Sequence, residues 1–388
     1  MRLRMFAAAL IALHAPGAAG AGIEVDILYL ERKTARPPTL SNISPPPDDA
    51  GLQGARLGQE DNASTGEFLG HSYALEEIIV DEDAPFAPAA EAALATGARI
   101  IVVNAPADDL LALADMPAAK GALIFNAAAT DDRLRLDECR ANILHTAPSR
   151  AMLADALMQF LTLRKWTDLF LIAGEGEGDQ AYAAALTRSA AKFGARIRET
   201  KTWAFDADMR RSAAKEAPLF TQGVEYDVLL VADEREDFAR YLLYNTWLAR
   251  PVAGSEGLSP RGWSPVVEQW GAAQLQKRFT ALAGRTMNET DYAAWAAIRT
   301  VGEAVTRTGA SEPDALRAFI LGDDFSLAGF KGLKMSYRPW NGQLRQPIPL
   351  VHPRALAAVA PIEGFLHQRT ELDTLGFDQL ESPCRAFN

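Results

Sequence analysis

Short apolar runs alternate with longer amphipathic stretches along most of this chain. Residues 23–30 (IEVDILYL), 99–104 (RIIVVN), 121–126 (GALIFN), 169–173 (LFLIA) and 227–232 (DVLLVA) are apolar at nearly every position. Runs without a polar face predict strands buried on both sides, as in a parallel sheet covered by helices. Residues 78–80, 142–146 and 196–203 predict further strands. Between them, helical periodicity predicts helices over 51–62, 89–96, 108–114, 149–163, 180–193 and 238–248. Gly97 and Gly194 close two of these, and Ser149 is placed to cap a third. After residue 255 the alternation changes. Residues 290–308 predict one long alanine-rich helix, and 329–337 and 347–351 predict strands of an antiparallel addition.

The fold class this predicts is α/β, with parallel sheets in two doubly wound units. The length of 388 residues suits two domains. The first 21 residues are set apart. Arg2 and Arg4 precede an apolar run over 6–13, and Ala19-Gly20-Ala21 supplies small residues for cleavage. That run is too short to span a bilayer. An export signal over 1–21 is expected, and with it a periplasmic location. Residues 31–50 form a polar, proline-bearing segment with no periodicity.

Composition narrows the functions. The net charge is −11, which argues against nucleic acid and against an anionic membrane surface. Two cysteines, Cys139 and Cys384, cannot form a CxxC pair or a four-ligand zinc site, but they suit a disulfide in an oxidising compartment. The five histidines are scattered, and no HExxH, GxSxG or GxxxxGK[ST] motif occurs. No cofactor and no catalytic group are called for. The glycine-rich stretch 174–179 (GEGEGD) follows a strand and precedes a helix, where a dinucleotide loop belongs. Asp179 replaces the third glycine, and its acids would repel a pyrophosphate. It reads as a strand-to-helix loop at a sheet edge, where ligands of open α/β folds bind.

Four stretches, in order, resemble those of the type I periplasmic binding proteins, the leucine/isoleucine/valine-binding-like receptors of ABC importers. They are Gly54-Ala55-Arg56-Leu57 with Asp61-Asn62, Ala128–Leu134 (AATDDRL), Tyr182–Ser189 (YAAALTRS) and Gly254-Ser255-Glu256-Gly257. A narrower resemblance is to a subfamily associated with PQQ-dependent alcohol dehydrogenase systems. Residues 40–47 (LSNISPPP) running into 51–56, 137–142 (DECRAN) and 268–272 (EQWGA) carry it.

The resemblance implies two lobes joined by three crossovers, one of 22–146 plus 255–330 and the other of 147–254 plus 331–388. It implies a monomer that binds a small molecule between closing lobes and hands it to an ABC permease in the inner membrane. Matched by motif, Ala128, Thr130 and Asp131 contact ligand from the first lobe and Tyr182 from the second, while Glu256 falls on the glutamate that meets a ligand ammonium in the relatives. Tyr29, Glu31, Asn104, Glu175 and Glu234 end strands or follow them at the expected cleft edge. Asp131, Asp132, Glu175, Asp179, Glu234 and Glu256 together make that cleft acidic. This leaves a second reading open, in which Asp131, Asp132 and Glu256 hold a hard metal ion such as a lanthanide. A third makes the chain a ligand sensor for a membrane partner.

Overall fold

A computed structural model describes residues 22–35, 45–204 and 209–387, with the backbone alone at 209–214. The expected export signal over 1–21 lies outside the described residues, as does part of the proline segment.

The first sheet holds β1 (Ile23–Arg32), β2 (His71–Val80), β3 (Ile100–Asn104), β4 (Leu123–Asn126) and β5 (Ile143–His145) in the order β2-β1-β3-β4-β5, all parallel. Side chains on a strand alternate between faces, and two cores divide accordingly. Val25, Ile27, Tyr29, Val102 and Phe125 face one core with α1 (Leu52–Leu69). Leu28, Leu30, Ile101, Val103 and Ile124 face another with α2 (Phe86–Ala95) and α3 (Ala107–Ala114).

The chain then crosses into α4 (Arg150–Leu163) and a second sheet. Its elements are β6 (Asp168–Gly174), α5 (Glu177–Lys192), β7 (Arg196–Trp203), α6 (Met209–Phe220), β8 (Val228–Ala232), α7 (Ala239–Leu242) and β9 (Val252–Gly254). The parallel strand order is β7-β6-β8-β9. Leu169, Leu171, Val228 and Leu230 face α4 and α5, while Phe170, Ile172, Leu229 and Val231 face the opposite core.

The helix expected over 238–248 is a correction. Only α7 forms: Leu243 leaves the helical region at ψ 118°, and Tyr244 follows at φ 69°. The Asp233 carboxylate starts that short helix by accepting from the backbone N–H groups of Asp237, Phe238 and Ala239.

After β10 (Ser259–Pro260), the helices α8 (Ala272–Ala283), α9 (Glu289–Thr308) and α10 (Pro313–Ile320) return to the first sheet. Contact between α1 and α9 is very close. A Cβ on Gly54 would lie 1.9 Å from the Asp291 carbonyl oxygen, so glycine is what lets the helices meet. Strands β11 (Leu327–Ala328), β12 (Lys334–Tyr337) and β13 (Leu344–Arg345) form a small antiparallel sheet. Met335, Tyr337 and Leu344 belong to the first core. The change of body therefore comes near Gln346, not at the expected 330/331 boundary. Strands β14 (Ile348–His352) and β15 (Ala355–Ala360) pair with β10 and pack on the second core.

Two crossings lie side by side and are hydrogen-bonded. Gln343 donates to the carbonyls of His145 and Ala147, and Gln346 donates to that of Thr146 at 2.8 Å. The C-terminal tail then spans both bodies. Gly376 N–H donates to buried Asp155 of α4, and Ser382 donates to the carbonyl of Arg135. Cys384 and Cys139 form a disulfide, with 5.8 Å between their Cα atoms. Among the described residues, no helix is long and apolar enough to cross a membrane.

Candidate functional site

The carboxyl ends of both parallel sheets open onto one cleft, which holds three adjoining cavities. The middle one, about 320 Å³, is lined by Ala128 and Thr130 after β4, Tyr182 of α5, Glu234 after β8, Ser255 after β9, and Thr290 of α9. Ala128, Thr130 and Thr290 are shared with an outer cavity of about 340 Å³ that contains Glu31, Asn104, Asp131 and Arg150. Ser255 and Arg261 are shared with a third, of about 510 Å³, that contains Glu256 and Trp263.

Arg135 shapes the loop that carries Ala128 and Thr130. It is fully buried and donates to the carbonyls of Ala129, Asp131 and Ala147. Burial lowers its pKa to about 10, so it remains charged at neutral pH. Asn126 completes the loop by accepting from the N–H groups of Ala128 and Ala129.

Arg150, at the first position of α4, sits where the bodies meet. It makes a two-pronged pair with Glu234, both bonds at 2.7 Å, and lies 3.4 Å from Asp131. Burial opposes its charge, but the Glu234 carboxylate outweighs that and raises the pKa. Arg261 pairs with Glu289 at 3.1 Å, and Glu289 also accepts from Gly262 N–H. Sequence reasoning missed Arg150, Arg261, Glu289 and Thr290. The one local signal was the position of Arg150 directly after the helix cap Ser149.

The expected residues divide. Ala128, Thr130, Asp131, Glu31, Asn104, Tyr182, Glu234 and Glu256 line the cavities. Glu31 is held by Lys33 at 2.7 Å and by the Tyr29 hydroxyl at 2.9 Å. Tyr29 itself is fully buried beneath the cleft and lines none of the three cavities, because it sits one step deeper on β1 than Glu31, with its ring packed toward α1. Glu175 is exposed outside the three cavities.

The acidic cleft is also a correction. Asp131 and Glu234 share the charge of Arg150, which Glu234 holds through two bonds. Asp132 accepts from the Ala151 N–H in α4, and burial raises its pKa. Asp179 joins two loops by accepting from the N–H groups of Gly176 and Glu234. Glu256 accepts from its neighbour Gly257. Asp131 and Glu256 line different cavities, so the acids proposed for a metal do not converge. Among the described residues, no three His, Cys, Asp or Glu side chains are grouped to hold a metal ion.

Solved structures share this two-body plan. A periplasmic binding protein from Burkholderia mallei superposes with a TM-score of 0.66 at 14% identity, over 94% of this chain and 99% of that one. A leucine-, isoleucine-, valine-, threonine- and alanine-binding protein from Brucella ovis, in a closed conformation, gives 0.66 at 16% identity, over 84% and 88%. The fold is that of the type I periplasmic binding proteins. An ABC transporter solute-binding protein from R. palustris, in complex with benzoate, adds a third example, with a TM-score of 0.65 at 12% identity over 93% and 99%. No protein-family model matches the chain, and no curated protein matches it. Within the type I fold, the middle cavity lies between the two sheet-bearing bodies.

Proposed function

We propose that this chain is a solute receptor of an ABC importer, which binds a small organic molecule between its two bodies and presents it to an inner-membrane permease. The observation that carries the reading is the middle cavity, lined from the first body by Ala128 and Thr130 and from the second by Tyr182 and Glu234. A ligand touching both bodies favours the closed arrangement by its differential contacts. Relatives in fold are described as branched-chain amino-acid receptors or as a benzoate complex, which supports binding without turnover. A periplasmic location follows from this reading and from the signal-like residues 1–21. The subfamily resemblance supports a link to PQQ-dependent alcohol oxidation.

Thermal unfolding of the mature protein tests the reading, with a panel of short alcohols, aldehydes, carboxylates, branched amino acids, PQQ, calcium and lanthanum. A ligand at about 100 times its dissociation constant adds roughly 2.7 kcal/mol. An organic compound is expected to raise the midpoint and compact the protein in small-angle scattering. Response to lanthanum alone, or to nothing, refutes a receptor for organic solutes.

A further inference from the structure

The charges around the middle cavity are largely spoken for, and its hydroxyls are not. Arg150 is held by Glu234 and faces Asp131, and Arg261 is held by Glu289. Asp233 spends its carboxylate on three backbone N–H groups. Glu236 is exposed at the mouth, with the charge of Arg261 in reach. By contrast, no described group hydrogen-bonds the hydroxyls of Thr130, Tyr182 or Thr290. Ser255 Oγ accepts from Asp233 N–H and keeps its own hydrogen to donate. Tyr182 is the decisive member. Its side chain is 95% buried against the second core, yet its oxygen is not among the polar atoms sealed without a partner, so it opens into the cavity. The rest of the wall is apolar, with Ala127, Ala147, Pro148, Leu153 and Pro260.

We infer that the ligand is an uncharged, oxygen-bearing small molecule, an alcohol, diol or carbonyl compound. The inference rests on the receptor reading above. A ligand carboxylate would have to evict Glu234 or Glu289 from its arginine and then sit beside the displaced acid. A ligand ammonium would find Glu234 and Glu289 already paired, leaving it only Glu236, which is exposed to water at the mouth. A neutral oxygen costs neither exchange. It accepts from Tyr182, Thr130 or Thr290 and can donate back, since a hydroxyl does both. Hydrocarbon carbons then cover the alanine, proline and leucine walls. A cavity of about 320 Å³ is at the small end for ligand sites, which limits the molecule to few heavy atoms.

The test compares five-carbon probes that differ in charge. Pentane-1,2-diol and pentanal are neutral, pentanoate is an anion, pentylamine a cation and valine a zwitterion. Isothermal titration of the mature protein at neutral pH is expected to show a neutral probe binding at least about tenfold tighter than any charged one. Tyr182→Phe, which removes only the hydroxyl, is expected to weaken that probe about tenfold and leave the unliganded midpoint unchanged. Thr130→Val gives an independent second reading of the same cavity. Tightest binding by valine, pentanoate or pentylamine overturns the neutral class and leaves the receptor reading standing. No binding by either neutral probe also overturns it, and silence across the wider panel removes the receptor reading with it.

Discussion

Replacing Lys331 with methionine should change how stability depends on pH. Lys331 is 5% exposed. Its Nζ donates to Gln346 Oε1 at 2.5 Å and to the Pro347 carbonyl at 3.2 Å, and lies 4.5 Å from the centre of the Tyr292 ring. Burial lowers its pKa from 10.5 to about 7, against a pull upward from the charge of Glu289. Above pH 7 the folded chain has released this proton, while the unfolded chain keeps it up to about pH 10.5. The unfolded state then binds more protons, so stability rises with pH through this window and the cost of burying the charge is felt in full below it. At about 1.36 kcal/mol per pH unit, the wild type should gain roughly 2.5 kcal/mol over Lys331→Met between about pH 7.5 and about pH 9.5, within a ceiling of roughly 5 kcal/mol. Methionine roughly conserves volume and carries no proton in this range. Urea unfolding followed by tryptophan fluorescence, at fixed ionic strength and stepped pH, measures the difference. Two parallel stability curves would refute the reasoning, since they would mean that Lys331 titrates alike folded and unfolded.

Gly54→Ala places a methyl group against the Asp291 carbonyl and should cost about 3 kcal/mol, read as a lower urea midpoint, while alanine at an exposed helical glycine would stabilise. Removing the disulfide with paired Cys139→Ser and Cys384→Ser should cost roughly 2–5 kcal/mol, measured against the oxidised wild type, with no difference once both are assayed under reductant.

The strands were legible because β3, β4, β6, β8 and the Ile27–Leu30 half of β1 are buried on both faces and read as apolar runs. Strand β2 was legible only at its end. It lies at the sheet edge, and Glu76 and Glu77 interrupt its pattern. The 238–248 stretch had helical periodicity, yet no local cue revealed that Tyr244 would turn left-handed. At the site, motif position pointed to Thr130 and Tyr182, which line the middle cavity. Charge partners were out of reach. Glu234 neutralises Arg150 from 84 residues away, and Glu289 meets Arg261 only after α9 returns to the first body. Reading acids without their partners hid the two arginines that offset part of the cleft's negative charge. Tyr29 lies one step deeper than Glu31 on the same strand face, so its ring is buried under the cavity that Glu31 lines and only its hydroxyl reaches up to Glu31.

The C-terminal tail acts as a clamp. Gly376 is held on the second body by Asp155, Arg188 and Lys192. On either side of it, Arg338 and Arg345, beside the small sheet of the first body, hold Asp373 and the carbonyls of Leu375 and Phe377. Ser382 and Cys384 fasten the tail to the first body a second time. The link between the two fastenings is short, about 20 Å from residue 376 to residue 382 at full extension, and part of it is wound into a turn where Glu381 and Ser382 donate to the Asp378 carbonyl. One strip of chain thus stitches both bodies at 373–377 itself, and parting them there means breaking these bonds before any length beyond Phe377 counts.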